Sequence, residues 1–268
     1  MAIDSHMHIN NDMCNNIKGC IDKVNNDDSI SKVINVGVNV PTSRDSYYIS
    51  QNNPKFYTAI GIHPLYIDGE DIDDLYRMGS NKVVAIGEIG LDTARDNYFE
   101  QKCYLIEQIM LANSLCLPVI IHSNYSNKKV IEIFEKYVKP QYGCVFHCFQ
   151  PDLEDLEYLV SNGYYISFAG RITYKNAKKS IDVLNAVPDD LFIVETDSPY
   201  LTPEPLRDVN NPTNNSSSNL HYIIERIADL KGVGYKNVEN ITDRNVKRLF
   251  KRMKWLLNLI FIVIIYSR

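Results

Sequence analysis

Eight short runs rich in β-branched and aromatic residues punctuate the chain, and longer stretches with apolar residues at helical spacing separate them. The runs are AIDSH (2–6), KVINVGVN (32–39), FYTAIGIH (56–63), VVAIGEIG (83–90), PVIIHS (118–123), GCVFHCF (143–149), YYISFAG (164–170) and LFIVETDS (191–198), and each reads as a strand. FEQKCYLIEQIMLANSLC (99–116) repeats apolar positions every three or four residues. DLEDLEYLVSNG (152–163) opens on an N-cap aspartate and closes on glycine, so both read as helices. Strands that alternate with helices predict a parallel sheet covered by helices, and a count of eight favours closure into an α/β barrel of the (β/α)8 type. PEPLRDVNNPTNNSSSN (203–219) is Pro-, Asn- and Ser-rich and reads as a long loop after the eighth strand.

The chain has 268 residues, 45% of them hydrophobic. One barrel takes roughly 250 residues, so a single domain is expected over 1–250. What remains, 251–268, is a basic KRMK stretch followed by the apolar run Trp255 to Tyr266. That run is short for a spanning helix, which needs about 20 apolar residues. It reads as a segment packed on the body, an interfacial anchor, or a tail bound by a partner. The formal charge of −5 argues against a protein that coats nucleic acid by bulk electrostatics, so any phosphate chemistry needs a local positive site. The six cysteines form no C-x-x-C pair and nothing before Asp4 resembles a signal peptide, which fits a reducing, cytoplasmic setting.

Candidate chemistry lies at the strand ends. His6 and His8 are two apart, so a strand there would point both imidazoles to one face, where they could grip a divalent ion. An isolated H-x-H is equally well two histidines near a chain terminus. The pair gains meaning from His63, Glu88, His122, His147 and Asp197, each at the end of a different expected strand. In a barrel these ends share the C-terminal face, where barrel enzymes keep their active sites. Glu195 lies two residues before Asp197 on the same strand face and either supports a metal or fills the barrel, while His221 begins the helical pattern 219–231 and reads as a surface residue.

In order along the chain, DSHMH, GIHP, GEIGLD, IIHS, FHCF, ETDSPYLTP and ITDRNVKRLF resemble the motifs of the TatD-type metal-dependent hydrolases, a family of deoxyribonucleases, over about residues 1 to 250. The resemblance implies a (β/α)8 barrel holding two or three divalent ions and hydrolysing nucleic-acid phosphodiesters. It implies that His6, His8, Glu88 and Asp197 hold one ion, that Glu88, His122 and His147 hold the other, and that Glu88 bridges them. Asp197 would also take the proton of the attacking water. His63 has no strict place in this set; it either supports the metals from behind, contacts substrate phosphate, or is a structural turn residue. Zinc or manganese suits such mixed donors, and magnesium is tolerated where carboxylate and water dominate.

Three departures from the family pattern fall where substrate is held. The arginine of H-x-R is Asn124, the basic stretch after PYLTP is reduced to Arg207 followed by Asp208, and the aromatic after G-L-D is Thr93. Each removes a cation or a stacking surface. DNA as substrate is the leading expectation, with Asn124 and Arg207 as candidate substrate contacts. A hydrolase of another ester or amide, and a non-catalytic metal-stabilised binding protein tethered by its tail, are the alternatives.

Overall fold

The computed structural model describes residues 1–10, 16–208, 210–211 and 213–254; the apolar run 255–266 lies outside the described residues. The strands are β1 (Ala2–Met7), β2 (Ile30–Val36), β3 (Phe56–Ile60), β4 (Val83–Asp92), β5 (Val119–Asn124), β6 (Cys144–Phe146), β7 (Tyr165–Phe168) and β8 (Phe192–Val194). They pair in parallel and in sequence order from β1 to β8. The seam between β8 and β1 is drawn together just past the strand ends. There the Asp197 amide donates to the His6 carbonyl at 2.9 Å and the His8 amide to the Ser198 carbonyl at 2.7 Å. A parallel bridge joins Met7 to Ser198, so the eight strands form a nearly closed barrel.

Around it run α1 (Ile17–Asn25), α2 (Val40–Asn52), α3 (Asp73–Tyr76), α4 (Tyr98–Ser114), α5 (Asn127–Lys136), α6 (Leu153–Ser161), α7 (Lys178–Ala186), α8 (Leu220–Lys231) and α9 (Tyr235–Leu249). Helices α4 and α6 are those read from the periodicity. The Asp152 carboxylate accepts from the amides of Glu154 and Asp155 and so satisfies the open N-terminus of α6. Gly163 follows that helix at φ 70°, a conformation glycine takes without a Cβ penalty. Among the described residues no helix is long and apolar enough to cross a membrane.

Two apolar layers hold the barrel. The inner one includes Ile3, Ile34, Tyr57, Ile120, Val145 and Ile193; the outer one lies between strands and helices. Because side chains alternate along a strand, the inner layer also determines which later residues face the axis. Ile120 is followed two residues on by His122, Val145 by His147, and Ile193 by Glu195 and Asp197. At the opposite end, Val246, Leu249 and Phe250 pack against the same inner layer. Burying a phenylalanine like Phe250 stabilises by about 1.5–3 kcal/mol. Arg252 continues this closure, donating to the carbonyls of Ser80, Val83 and Leu115 at 3.3, 3.1 and 2.9 Å.

Several strands end earlier than their sequence runs. β3 stops at Ile60, β6 at Phe146 and β8 at Val194, so His63, His147 and Asp197 sit on the segments just beyond. The backbone there leaves the ladder for side-chain partners: the Cys148 amide donates to the Glu195 carboxylate at 2.7 Å and to the Ser167 hydroxyl at 2.8 Å. β4 does the reverse, continuing to Asp92, so Glu88 lies within the strand. The 203–219 segment ends in a 3-10 turn, Ser217–Asn219. Asn215 fastens it to the Thr196 and Tyr200 carbonyls at 2.9 and 2.7 Å. Among the described residues, Cys103, Cys116, Cys144 and Cys148 are free thiols.

Candidate metal centre

Glu88 stands at the middle of the C-terminal mouth with its two oxygens turned to different neighbours. Oε2 is 3.5 Å from His6 Nε2 and 3.9 Å from His8 Nε2. Oε1 is 2.7 Å from His122 Nδ1, 3.0 Å from His147 Nε2 and 3.5 Å from His63 Nε2. On the first side Asp197 Oδ1 completes the group, 3.8 Å from His6 Nε2 and 3.5 Å from His8 Nε2. The two Nε2 atoms are themselves 3.2 Å apart. Ligands about 2.0–2.1 Å from a tetrahedral ion are separated by roughly 3.3–3.4 Å, so these spacings suit donors around one cation. Among the described residues, three donor sets gather their atoms within 4.8 Å: His6, His8 and Asp197; His6, Glu88 and His147; and His63, Asp92 and His122.

Hydrogen bonds behind the rings leave the right nitrogens free. His8 Nδ1 donates to the Val36 carbonyl at 2.9 Å, which leaves Nε2 as the donor atom for an ion. His147 Nδ1 lies 3.2 Å from Glu195 Oε1, a carboxylate–histidine pair of the kind that orients metal-binding imidazoles. The His6 ring stacks on His147 at 4.1 Å, and its buried Nδ1 has no partner among the described residues. Beneath them Asp4 is fully buried and accepts from the Thr196 amide at 2.9 Å and from the Thr196 and Ser217 hydroxyls at 2.6 Å. Burial pushes its carboxyl up to about 6 despite these bonds.

Concentrated charge explains the titration of the centre. Burial opposes protonation of His147, yet Glu88 and Glu195 outweigh it and hold the imidazole well above its usual range. Burial likewise opposes the charged form of Glu88 and Asp197, and the surrounding histidines keep both low. His63 goes the other way: burial lowers it to about 3, so it stays neutral. A divalent cation bound among these groups would supply positive charge to the same carboxylates and would displace protons from the imidazoles that hold them.

The other expected residues distribute unevenly. Asn124 lines the cavity, but its amide is committed to Asp92 Oδ1 at 3.1 Å. Arg207 does not line that cavity; its guanidinium lies over the Tyr174 ring at 4.2 Å. His221 bonds back to the Ser218 carbonyl at the start of α8, away from the centre. Asp92 escaped the sequence reading as a donor. Its Oδ2 is 2.8 Å from His122 Nε2, and those contacts hold its carboxyl at about 2 against the effect of burial. Glu88, Gly90 and Asp92 alternate in GEIGLD, so strand parity alone already placed both acids on one face.

Comparison with known proteins agrees with this geometry. A family model described as TatD related DNase matches residues 3–251. The chain is 33% identical over 258 residues to the metal-dependent hydrolase YabD of Bacillus subtilis, covering 94% of this chain and 99% of that protein. It is 28% identical over 233 residues to the 3'-5' ssDNA/RNA exonuclease TatD of Escherichia coli, covering 84% and 89%. The crystal structure of YJJV, a TatD homologue from Escherichia coli, superposes with a TM-score of 0.81 at 25% identity, covering 93% of this chain and 98% of that one.

Proposed function

The chain belongs to the TatD-related DNase family and is a metal-dependent hydrolase acting on ester bonds, and from that premise we propose that it cleaves phosphodiester bonds of nucleic acid at a centre of two divalent ions bridged by Glu88. The observation that carries this reading is the division of the Glu88 oxygens, one toward His6 and His8 and the other toward His122 and His147. In the proposed assignment His6, His8, Glu88 and Asp197 would hold one ion, and Glu88, His122 and His147 would hold the other. His63, Asp92 and His122 gather beside the second ion's ligands as a further donor set. The mixture of imidazole and carboxylate donors favours zinc or manganese over magnesium.

Divalent ions held there supply a water of lowered pKa and neutralise charge developing on a phosphate. The chain's own groups do the rest. Asp197 remains ionised at the cavity wall and takes the proton of the attacking water. Glu195 holds the His147 ring in place and the Val36 carbonyl holds His8, which keeps the ligand set oriented without movement during the reaction. His63, neutral and buried, supports Glu88 from behind.

Metal-loaded protein offered single-stranded DNA and RNA beside a panel of uncharged carboxylic esters tests this directly. Release of nucleotides, abolished by a chelator and restored by zinc or manganese, is the expected outcome. Ester turnover with intact oligonucleotides would move the chain to a different substrate class on the same centre.

A further inference from the structure

The cavity above the candidate ligands, about 290 Å³, does not end at its own rim. Gln150 lines both it and a second cavity of about 620 Å³. Three βα segments contribute to both. At the end of β5, Asn124 faces the first and Tyr125 the second; after β6, Cys148 faces the first and Pro151 the second; after β7, Arg171 faces the first and Lys179 the second. The two cavities thus adjoin at Gln150, and together they run outward from the candidate ligands along one side of the barrel mouth.

The chemistry changes along that path. Arg171 is the sole lysine or arginine on the wall of the first cavity, and no ion pair or hydrogen bond engages its guanidinium among the described residues. In the second cavity Lys128 is committed to Glu154 at 3.0 Å, whereas Lys129 and Lys179 have no carboxylate partner among the described residues. Of the two aspartates that line it, Asp152 accepts from two backbone amides as the cap of α6, and Asp155 is buried. Tyr125 is 80% exposed and adopts φ 52°, the left-handed region that costs an aromatic residue energy. Its neighbours fix it there, because Asn124 is tied to Asp92 and the Ser126 hydroxyl donates to the Leu91 carbonyl at 2.8 Å. An exposed, unpacked aromatic face beside cations that no carboxylate pairs with suits an unstacked base and its phosphates, a combination that only a single strand offers.

We propose that the second cavity is the subsite for the nucleotides adjoining the scissile bond of a single-stranded polynucleotide. Arg171 grips the phosphate at the junction, Tyr125 stacks the next base, and Lys129 and Lys179 meet the phosphates beyond. This rests on the nuclease reading and relocates the substrate grip that Asn124 and Arg207 do not provide.

The test measures KM for oligothymidylates from dinucleotide to octanucleotide with the full-length, metal-loaded protein, across a salt series. Wild-type KM is expected to fall as the chain lengthens. Tyr125→Ala should raise KM on the octanucleotide about ten-fold more than on the dinucleotide, with Tyr125→Phe restoring the difference. Lys129→Ala and Lys179→Ala should each reduce the slope of log affinity against log salt by about 0.7. A wild-type KM independent of length, or variants that track wild type at every length, would overturn the subsite and leave the nuclease reading standing. Failure of the wild type to bind or cleave any oligonucleotide would overturn both.

Discussion

Glu88→Gln is expected to lower hydrolytic turnover by at least about 100-fold while the barrel stays folded. The amide keeps the shape and most of the packing of a buried side chain, so the inner apolar layer is undisturbed. What it loses is the charge that both histidine groups share. A neutral amide at this position would offer one carbonyl oxygen and one amide nitrogen where the carboxylate offers two anionic oxygens, so one of the two ions loses a ligand outright. Metal content by inductively coupled plasma spectrometry, read beside circular dichroism and turnover, checks this. Near-normal turnover with two ions bound would show that Glu88 does not bridge them.

Gly90→Ala should produce the second large effect, on the fold itself. Gly90 lies in β4 at φ 153°, and a Cβ there would collide with the His122 carbonyl oxygen on β5. Neighbouring glycines are nearly as tight: a Cβ on Gly87 would come within 2.6 Å of the Ile120 Cβ, and one on Gly61 within 2.7 Å of the Gly87 carbonyl carbon. The side chain must therefore push β4 from β5 at the point where Glu88 and His122 meet. Overpacking costs about 1–3 kcal/mol and the backbone strain about 1–3 kcal/mol more, a large share of the stability of a single domain. Urea unfolding should show a loss of several kcal/mol, or no folded protein; a midpoint equal to wild type would mean that the strands can separate freely here.

This glycine shows what kind of information the sequence carries. The eight strands were legible because β-branched runs bounded by turn residues need no distant partner to be recognised, and parity along β5, β6 and β8 carries the inner layer into His122, His147 and Asp197. Asp4 was not legible as a participant. Its partners Thr196 and Ser217 are 192 and 213 residues away, and an acid inside an apolar run looks alike whether it lies over a loop or under a metal centre. Arg207 was legible as a cation after PYLTP, but its place over the Tyr174 ring depends on a partner 33 residues away in the sequence. Tyr125 gave no signal, since neither exposure nor a left-handed φ can be read from a tyrosine in a serine- and asparagine-rich turn.

The decisive measurement is anomalous diffraction at the zinc or manganese edge from crystals of the metal-loaded protein. Two ions should appear on either side of Glu88, one among His6, His8 and Asp197 and the other beside His122 and His147, each within about 2.0–2.2 Å of a Glu88 oxygen. A single ion, or ions that leave Glu88 uncoordinated, would contradict the bridged centre.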